Sequence, residues 1–411
     1  MKIAILTNSY PYYPGEQFLE EEILYWNDFP SRKIILIPLS SKGSPRKTPK
    51  NVGIDLSLKD KNHVLRFLFI FWSLVSPLFI YELKYLFLKR KFNFRCIIIA
   101  LLNVSKVISI ESKLKKVILK NKGFDFVYCY WNDNMSYAAA LLKRKGLINK
   151  LIVRTHRYDL YEEDRESNYM PLKRQFVDDF DIIFALSEEG KNYYEKKFNA
   201  KPSNVKISPL GVSIPPSLSE PSILGYLHLV SVSFCVHVKR IDKIIDAIDL
   251  FSDKNPYVYV KWTHIGDGPL FSELVKMAQK KLSLKKNLEF AFKGNLTNSL
   301  VRAFFLNERV DLFINTSESE GIPVSAMEAM SYGVPIIAPD IGGISFLLSE
   351  NCGKLLSRSP SIQEIASSIS EFTTSKCISQ MRLNARQKII ADYNASLNYK
   401  LHIQKISSLV T

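Results

Sequence analysis

The sequence predicts an α/β protein of two doubly wound domains, and three observations carry this prediction. Short apolar runs alternate with helix-compatible segments along both halves of the chain. A Pro- and Ser-rich stretch at 209–224 interrupts the alternation, which restarts after it. The chain has 411 residues, of which 46% are hydrophobic, and this is enough material for two substantial cores.

In the first half, the apolar runs are short and continuous, as expected for strands of a buried parallel sheet. The predicted strands are 2–6, 33–39, 126–130, 151–154 and 181–186. A turn-rich loop containing Gly15 separates the first strand from a predicted helix at 18–26. This order of strand, loop and helix is the opening of an α/β unit.

The second half repeats the alternation. Strands are predicted at 227–232, 257–265, 288–293, 310–315 and 334–338, and helices at 241–251 and 271–281. We therefore predict an N-terminal domain at 1–210, a linker at 211–224 and a C-terminal domain at 225–390. A last helix at 391–411 is expected to pack back on the N-terminal domain.

Composition and charge narrow the class of protein. Five cysteines without metal-ligand spacing predict buried thiols, with no disulfide and no zinc. No signal-peptide pattern follows Met1, so we expect a cytoplasmic protein. Residues 1–150 hold 25 Lys and Arg against 11 Asp and Glu, which accounts for most of the net charge of +16. This asymmetry points to an anionic partner for the first half.

One segment, 310–343, combines strand, turn and helix with two glutamates. Glu320 lies in the predicted loop after the strand at 310–315, and Glu328 lies in the predicted helix 324–332. In such units ligands bind beyond the carboxyl ends of the strands, and the free N–H groups of a helix start favour phosphate. A carboxylate also suits vicinal sugar or ribose hydroxyls. Spacing alone equally allows a Glu320 that favours the helix dipole and a solvated Glu328.

Residues 310–343 resemble the donor-binding signature of family 4 glycosyltransferases, which are retaining, metal-independent enzymes of the two-domain GT-B type. Glu320 and Glu328 fall on that family's Glu-x7-Glu pair. The resemblance implies that Glu320 faces the donor sugar and its transferring centre, and that Glu328 accepts the ribose hydroxyls. It also implies two Rossmann-like domains facing a central cleft. The backbone that would hold sugar hydroxyls and phosphate is that of Gly321, Ile322, Pro323, Val324 and Ser325.

Other positions in the predicted donor domain extend the similarity. Lys239 falls on the family's pyrophosphate-neutralising lysine. The family's arginine is replaced by Phe234, so either Arg240 substitutes for it or the site has one cation fewer. Gly266 and Gly294 lie in turns similar to a Gly-x-Gly-Pro turn and to a loop whose backbone meets the base.

Two positions in the first half can also be compared with family 4 glycosyltransferases. His156 resembles a histidine that hydrogen-bonds the donor sugar near the reaction centre; a purely structural histidine is the alternative. Near the donor phosphates the family has a Gly-Gly pair, whereas this chain has Gly15 and Glu16. Because the charge of Glu16 would oppose a pyrophosphate, we assign Glu16 to the acceptor side.

The region at about 64–122 is aromatic and basic. Phe67–Tyr81 is uncharged over 15 residues, which is too short to span a bilayer, and basic residues follow it. This composition suits a helix lying in an anionic inner-membrane surface. The alternative is a buried core helix with a solvated basic face. Nucleic acid is not expected, because no recognised binding motif accompanies the charge.

The resemblance and the charge distribution together imply a retaining hexosyltransferase. It would move a sugar from a nucleotide diphosphate donor to a lipid-linked or growing saccharide in bacterial capsule, O-antigen or exopolysaccharide synthesis. The nucleotide sugar is a co-substrate, and no metal or other cofactor is expected. The enzyme would work in the cytoplasm, peripherally associated with the inner membrane. A nucleotide-sugar epimerase of the same architecture is the alternative.

Overall fold

The computed structural model describes residues 1–13, 15–26, 33–58, 64–348, 351–374 and 378–408. The chain divides into two compact units, one formed by Met1–Leu210 with Leu397–Thr411 and the other by Gly211–Ser396. The segment 211–224, predicted as a linker, lies within the second unit. There the Ser219 hydroxyl donates to the Glu308 carbonyl over 2.9 Å.

The first unit is built on a seven-stranded parallel sheet of order β3-β2-β1-β4-β5-β6-β7. Its strands are β1 (Lys2–Thr7), β2 (Lys33–Pro38), β3 (Val52–Ile54), β4 (Phe126–Cys129), β5 (Leu151–Arg154), β6 (Ile182–Ala185) and β7 (Val205–Ile207). Its helices are α1 (Leu19–Tyr25), α2 (Val64–Leu74), α3 (Pro77–Leu88), α4 (Phe94–Lys120), α5 (Asn134–Arg144), α6 (Arg157–Leu160), α7 (Lys173–Phe176) and α8 (Glu188–Phe198). The predicted doubly wound sheet is confirmed.

The second unit is built on a six-stranded parallel sheet of order β10-β9-β8-β11-β12-β13. Its strands are β8 (Tyr226–Val232), β9 (Tyr259–Ile265), β10 (Leu288–Phe292), β11 (Leu312–Ile314), β12 (Ile336–Pro339) and β13 (Gly353–Leu356). Its helices are α9 (Ile241–Lys254), α10 (Phe271–Leu282), α11 (Asn298–Asn307), α12 (Val324–Ser331), α13 (Ile344–Leu347), α14 (Ile362–Thr374) and α15 (Ile378–Asp392). The last helix, α16 (Ala395–Ser407), lies in the first unit from Leu397 onward.

Both faces of the first sheet are covered by apolar side chains. Along β1, Ala4 and Leu6 join one buried cluster and Ile3 and Ile5 join another, because successive strand residues point to opposite faces. Helix α16 contributes Ile403 to the second cluster. Four cysteines are buried free thiols, and Cys377 lies outside the described residues. The four are Cys96, Cys129, Cys235 and Cys352.

A buried ion pair joins α1 to β5 within this core. Glu22 and Arg154 form a salt bridge, and the side chain of each is fully buried. The Arg154 guanidinium also donates to the Ser208 hydroxyl over 3.1 Å. That hydroxyl lies 2.9 Å from Nδ1 of His402 on α16. The pair therefore links the sheet to the first and last helices of the chain.

The aromatic and basic region folds as α2, α3 and α4, and the side chains of residues 64–67 lie outside the described part. The uncharged run breaks at Ser76, whose hydroxyl accepts from the Leu78 amide over 3.3 Å, with Pro77 at the first helical position. Among the described residues no single helix has the length and apolarity to cross a bilayer. One pair, Leu68–Leu74 with Pro77–Leu88, meets both criteria only when taken together, and it is bent by 58°.

Candidate active site

The centre of the second sheet brings two functional loops together. Strand β8 pairs with β9 on one side and with β11 on the other, so the sheet has its topological switch point between β8 and β11. Ligands of open α/β sheets bind outside the carboxyl ends of the strands at such a point. The loop after β8 carries Lys239, and the loop after β11 carries Glu320.

The Glu320 carboxylate contacts side chains of both loops. Its Oε1 lies 2.5 Å from Lys239 Nζ, and the two side chains are 10% and 21% exposed. The same oxygen accepts from the Ser317 hydroxyl over 2.7 Å and from the Asn315 amide over 3.2 Å. The two loops are also tied by the Thr316 hydroxyl, which donates to the Arg240 carbonyl over 2.7 Å. The structure thus brings together two residues for which the family resemblance implies different roles, Lys239 at the pyrophosphate and Glu320 at the donor sugar.

Sequence reasoning did not single out Asn315 and Ser317. Asn315 follows β11 directly and Ser317 lies two residues further on; the Asn315 side chain also accepts from the Ser317 amide over 2.7 Å. A polar Asn-Thr-Ser run just past the end of a buried strand is the signal that could have identified them. Together they fix the orientation of the carboxylate.

Arg240 lies beside this pair, and its guanidinium is already engaged. It forms a salt bridge of 2.8 Å with Asp242 and another with Glu318. Its backbone is in the left-handed region, with φ of 48°. These carboxylates raise the pKa of Arg240 and neutralise its charge locally. The arrangement favours the alternative in which the site has one cation fewer than the family's pair of arginine and lysine.

Helix α12 starts at the same edge of the sheet. Helical hydrogen bonds begin at the Ala326 amide, which donates to the Pro323 carbonyl over 3.1 Å, so the amides of Val324 and Ser325 precede the first helical bond. Glu328 follows on the second turn and is half-buried. The Gly321 carbonyl accepts from the Gly343 amide over 2.9 Å.

Ile322 covers Gly343 so closely that a Cβ atom there would lie 2.4 Å from Ile322 Cγ1. The turn before α12 is therefore held against a neighbouring glycine.

The two predicted glycine turns face each other across the ends of β9 and β10. The Gly266 amide donates to the Gly294 carbonyl over 2.8 Å. Gly266 has φ of 147°, and a Cβ atom there would lie 1.8 Å from the Ser233 carbonyl oxygen. Only glycine allows the loop after β9 to approach the loop after β8 so closely.

In the first unit, a second switch point lies between β1 and β4. His156 follows β5, the next strand along, and its side chain is 7% exposed. Neither of its ring nitrogens has a hydrogen-bond partner among the described residues. Burial, and secondarily Arg154, lower the pKa of His156 well below its usual value. The ring is therefore neutral at neutral pH, with one donor and one acceptor nitrogen.

Glu16 lies in the loop after β1 and is buried. Its carboxylate accepts from the backbone amides of Asn8, Ser9 and Tyr10 over 3.0, 2.6 and 2.5 Å. It also accepts from the indole N–H of Trp131, which follows β4, over 2.6 Å. The structure therefore ties the carboxylate assigned to the acceptor side into its own loop and to an aromatic residue that sequence reasoning missed.

Over the described residues, no group of three or more His, Cys, Asp or Glu side chains is placed to hold a metal ion.

Comparisons with known proteins agree with this geometry. The family model described as Glycosyl transferases group 1 matches residues 221–390, the part that holds Lys239, Glu320 and Glu328. A putative teichuronic acid biosynthesis glycosyltransferase, TuaC of Bacillus subtilis, is 32% identical over 143 residues, which are 35% of this chain and 32% of that protein.

A second relative is the UDP-Gal:alpha-D-GlcNAc-diphosphoundecaprenol alpha-1,3-galactosyltransferase of Escherichia coli. It is 22% identical over 231 residues, which are 52% of this chain and 56% of that protein. The chain thus spans less than two thirds of the length of either relative.

Solved structures show the fold of the whole chain. HepE of Anabaena, solved in complex with UDP-glucose, superposes with a TM-score of 0.66 and 16% identity, and the match covers 99% of this chain and all of HepE. HepE is a GT-B glycosyltransferase, and both sheets described above belong to that architecture. The chain therefore has the GT-B fold, and its residues 221–390 form a Glycosyl transferases group 1 domain.

Proposed function

We propose that the protein is a retaining glycosyltransferase that transfers a hexose-type sugar from a nucleotide diphosphate sugar to a lipid-linked or growing saccharide. One observation carries this proposal: Lys239 and Glu320 meet at the switch point of the second sheet, with Nζ and Oε1 2.5 Å apart. A cation and a carboxylate at one site suit the two charges that glycosyl transfer develops, an anionic leaving group and a cationic sugar.

The donor's diphosphate would lie over the start of α12. The amides of Val324 and Ser325 precede the first helical hydrogen bond, and a helix N-terminus favours anions. Lys239 would turn from Glu320 towards the phosphates. Glu328, half-buried on the second turn, would accept hydrogen bonds from the ribose hydroxyls.

In the transfer step, the bond between the anomeric carbon and the diphosphate oxygen breaks, and the electron pair leaves with the nucleoside diphosphate. An acceptor hydroxyl attacks the same face of the sugar, and its proton passes to the departing phosphate oxygen. Lys239 and the α12 amides stabilise the charge on the leaving group, while Glu320 stabilises the oxocarbenium-like sugar. No protein nucleophile is required, and the configuration at the anomeric carbon is retained.

The names of the relatives support the substrate classes. The galactosyltransferase of Escherichia coli is named for a UDP-Gal donor and a diphosphoundecaprenol-linked acceptor. TuaC is named for teichuronic acid biosynthesis. We therefore propose a role in the synthesis of a bacterial capsule, O-antigen or exopolysaccharide.

A donor panel tests the proposal. We expect one nucleotide diphosphate sugar to raise the melting temperature of the protein and to be consumed only when a saccharide acceptor is added. An epimerase of the same architecture would instead convert the sugar with no acceptor present. Conversion without acceptor would overturn the transferase proposal in favour of the epimerase.

We also propose that the first unit docks on an anionic membrane surface through α3. The exposed residues of α3 recur at helical spacing and form one stripe: Pro77, Ile80, Tyr81, Lys84, Phe87 and Leu88. Phe87 is 71% exposed and Leu88 is 66% exposed, although both are large and apolar. Nearby Lys89 and Arg90 are exposed as well. An apolar stripe beside cations matches the interface of an anionic bilayer, where each basic residue contributes about 1 kcal/mol.

Liposome flotation checks this docking. We expect the protein to float with vesicles that contain phosphatidylglycerol and to stay largely in the soluble fraction with pure phosphatidylcholine. The double substitution Phe87→Ser and Leu88→Ser should weaken binding at least about tenfold, because two apolar side chains lose their burial in the bilayer.

The matched control replaces Tyr257 and Leu284 with serine, since these side chains are 95% and 88% exposed in the second unit. It should float like the parent protein. Equal recovery of the parent in the soluble fraction with both vesicle types would refute the docking surface.

A further inference from the structure

His264 is a buried histidine of the second unit that has no role in the proposed transfer step. It is the last residue but one of β9, at the carboxyl edge where the loops after β8 and β9 meet. Its side chain is fully buried, and the rings of Trp262 and Phe292 lie with their centroids 6.2 and 5.5 Å from that of the imidazole. Burial lowers the pKa of His264 to about 4, although a hydrogen bond to the Ser233 backbone opposes this, so the ring is neutral at neutral pH.

A chain of hydrogen bonds passes through this ring, and its direction is fixed at one end. The Trp262 indole N–H, which can only donate, donates to the Ser231 hydroxyl on β8 over 3.1 Å. That hydroxyl lies 2.9 Å from Nδ1 of His264, so its own hydrogen points to this nitrogen. Nδ1 is therefore the acceptor and Nε2 carries the ring proton. Nε2 lies 3.4 Å from the Cys235 sulfur, and all four side chains are buried.

The Nε2 side of the ring meets the loop after β8, which is the loop that carries Lys239. Cys235 anchors this loop through its backbone. Its amide donates to the Asp267 carbonyl and its carbonyl accepts from the Leu270 amide, both over 3.0 Å. Lys239 follows four residues later, at the end of a single turn of 3-10 helix. The contacts of the imidazole with Ser233 and Cys235 therefore act on the start of a short segment that ends at Lys239.

We infer that His264 is a positioning residue of the donor site, which acts through Cys235 and the loop after β8 to place Lys239 for the donor's diphosphate. A lysine has a flexible stem, so the reach of its ammonium depends on where its backbone is held. The imidazole contacts no substrate itself, because it is fully buried. The diphosphate as the ligand of Lys239 rests on the proposed function, whereas the contact between His264 and the loop does not.

His228 provides a matched control within the same sheet. It is 3% exposed, and its ring makes two hydrogen bonds, from Nδ1 to the Arg309 carbonyl over 2.6 Å and between Nε2 and the Thr263 hydroxyl over 3.0 Å. It lies near the start of β8, at the amino edge of the sheet. Replacing either histidine with phenylalanine removes hydrogen bonds from the interior and should lower stability. Only the change at His264 should alter the placement of Lys239.

Calorimetric titration of inorganic pyrophosphate tests this placement without any nucleotide sugar. We expect the parent protein to bind pyrophosphate saturably, and Lys239→Ala to weaken binding at least about tenfold, because a charge-assisted contact is lost. His264→Phe should also weaken binding about tenfold, whereas His228→Phe should stay within about threefold of the parent. His264→Gln keeps an N–H donor on a side chain of similar reach and should recover most of the affinity.

Three outcomes of this titration would overturn the inference. They are no saturable binding by the parent, an equal loss of affinity in His264→Phe and His228→Phe, and no loss in His264→Phe. An equal loss would mean that a buried histidine acts only through general stability.

Amide hydrogen exchange measures the loop directly. The Cys235 amide is bonded to Asp267 and the Lys239 amide to Val236. Exchange of a peptide that covers 233–240 should therefore accelerate at least about tenfold in His264→Phe, because local opening becomes easier. The same peptide should exchange in His228→Phe as it does in the parent. Unchanged exchange in His264→Phe would refute a role of the imidazole in holding the loop.

A milder variant keeps the inference testable if His264→Phe does not fold. Ser231→Ala leaves the imidazole in place and removes only the hydroxyl that fixes the ring proton. With isotope-labelled histidine, nitrogen NMR of the parent should show the His264 proton on Nε2, and His264→Gln identifies the signal. In Ser231→Ala the proton should exchange between both nitrogens, and the affinity for pyrophosphate should fall about threefold. A proton on Nδ1 in the parent would contradict the hydrogen-bond chain.

The failure of this inference is distinguishable from that of the proposed function. A protein that binds pyrophosphate in dependence on Lys239 and His264, but transfers no sugar, would uphold the inference and refute the transferase. A His264→Phe variant that binds pyrophosphate as the parent does, in a protein that transfers sugar, would refute the inference and leave the transferase intact.

Discussion

Replacing Glu320 with glutamine should lower kcat about 10²–10³-fold without raising the donor KM. The substitution keeps the size of the side chain and removes the charge that would stabilise the oxocarbenium-like sugar, and a loss confined to the transition state appears in kcat. Because Lys239 loses its counter-ion, the affinity for the nucleoside diphosphate alone should rise rather than fall. Steady-state kinetics with the donor found in the panel, together with calorimetric titration of the nucleotide, measure both effects.

Two further carboxylates serve as comparisons. Glu328→Ala should raise the donor KM about tenfold with little change in kcat, because it would remove the proposed hydrogen bonds to the ribose, which are made in ground state and transition state alike. Glu318→Gln is the matched control: it lies two residues from Glu320, is 52% exposed and contacts Arg240, so activity should change less than about threefold. Full activity in both Glu320→Gln and Glu328→Ala would refute the proposed function.

The second large effect concerns stability. Glu22→Gln should lower the unfolding free energy of the first unit by about 3–5 kcal/mol, because it leaves the Arg154 guanidinium buried without its counter-ion. The double substitution Glu22→Leu and Arg154→Met should recover most of this loss, since two apolar side chains replace both buried charges. Urea titration followed by circular dichroism provides the measurement, and the transition of the second unit should not move.

An exposed ion pair in the same unit gives the control. Arg95 and Glu166 form a salt bridge with side chains 62% and 81% exposed, so Arg95→Met should cost less than about 1 kcal/mol. If Glu22→Gln lowers the unfolding free energy no more than Arg95→Met does, the buried ion pair does not stabilise the first unit as the structure indicates.

The fold class follows from the sequence because buried parallel strands have a strong local signal, a continuous apolar run. Strands β3, β7 and β13 escaped prediction because they are short, lie at or near sheet edges and include exposed or half-buried residues. The break in the aromatic and basic region was present in the sequence as Ser76-Pro77, a common start of a helix.

The site was only partly predictable. Glu320 and Lys239 could each be proposed from the sequence. Their contact could not, because the two residues are 81 positions apart and meet only since β8 and β11 are neighbours in the sheet. The environment of Glu16 depends on a loop in which this residue takes a left-handed φ of 57°. Local patterns do not encode such long-range pairings, so the link from Glu16 to Trp131 becomes visible only in the structure.

The position of α16 also has a consequence for the order in which the protein is completed. Tyr399, His402, Ile403 and Ile406 are fully buried, and they belong to the first unit although they follow the whole of the second unit in sequence. During synthesis, the second unit can be finished while the first still lacks one wall of its interior. The first unit, most of which is synthesised first, therefore completes its hydrophobic core last.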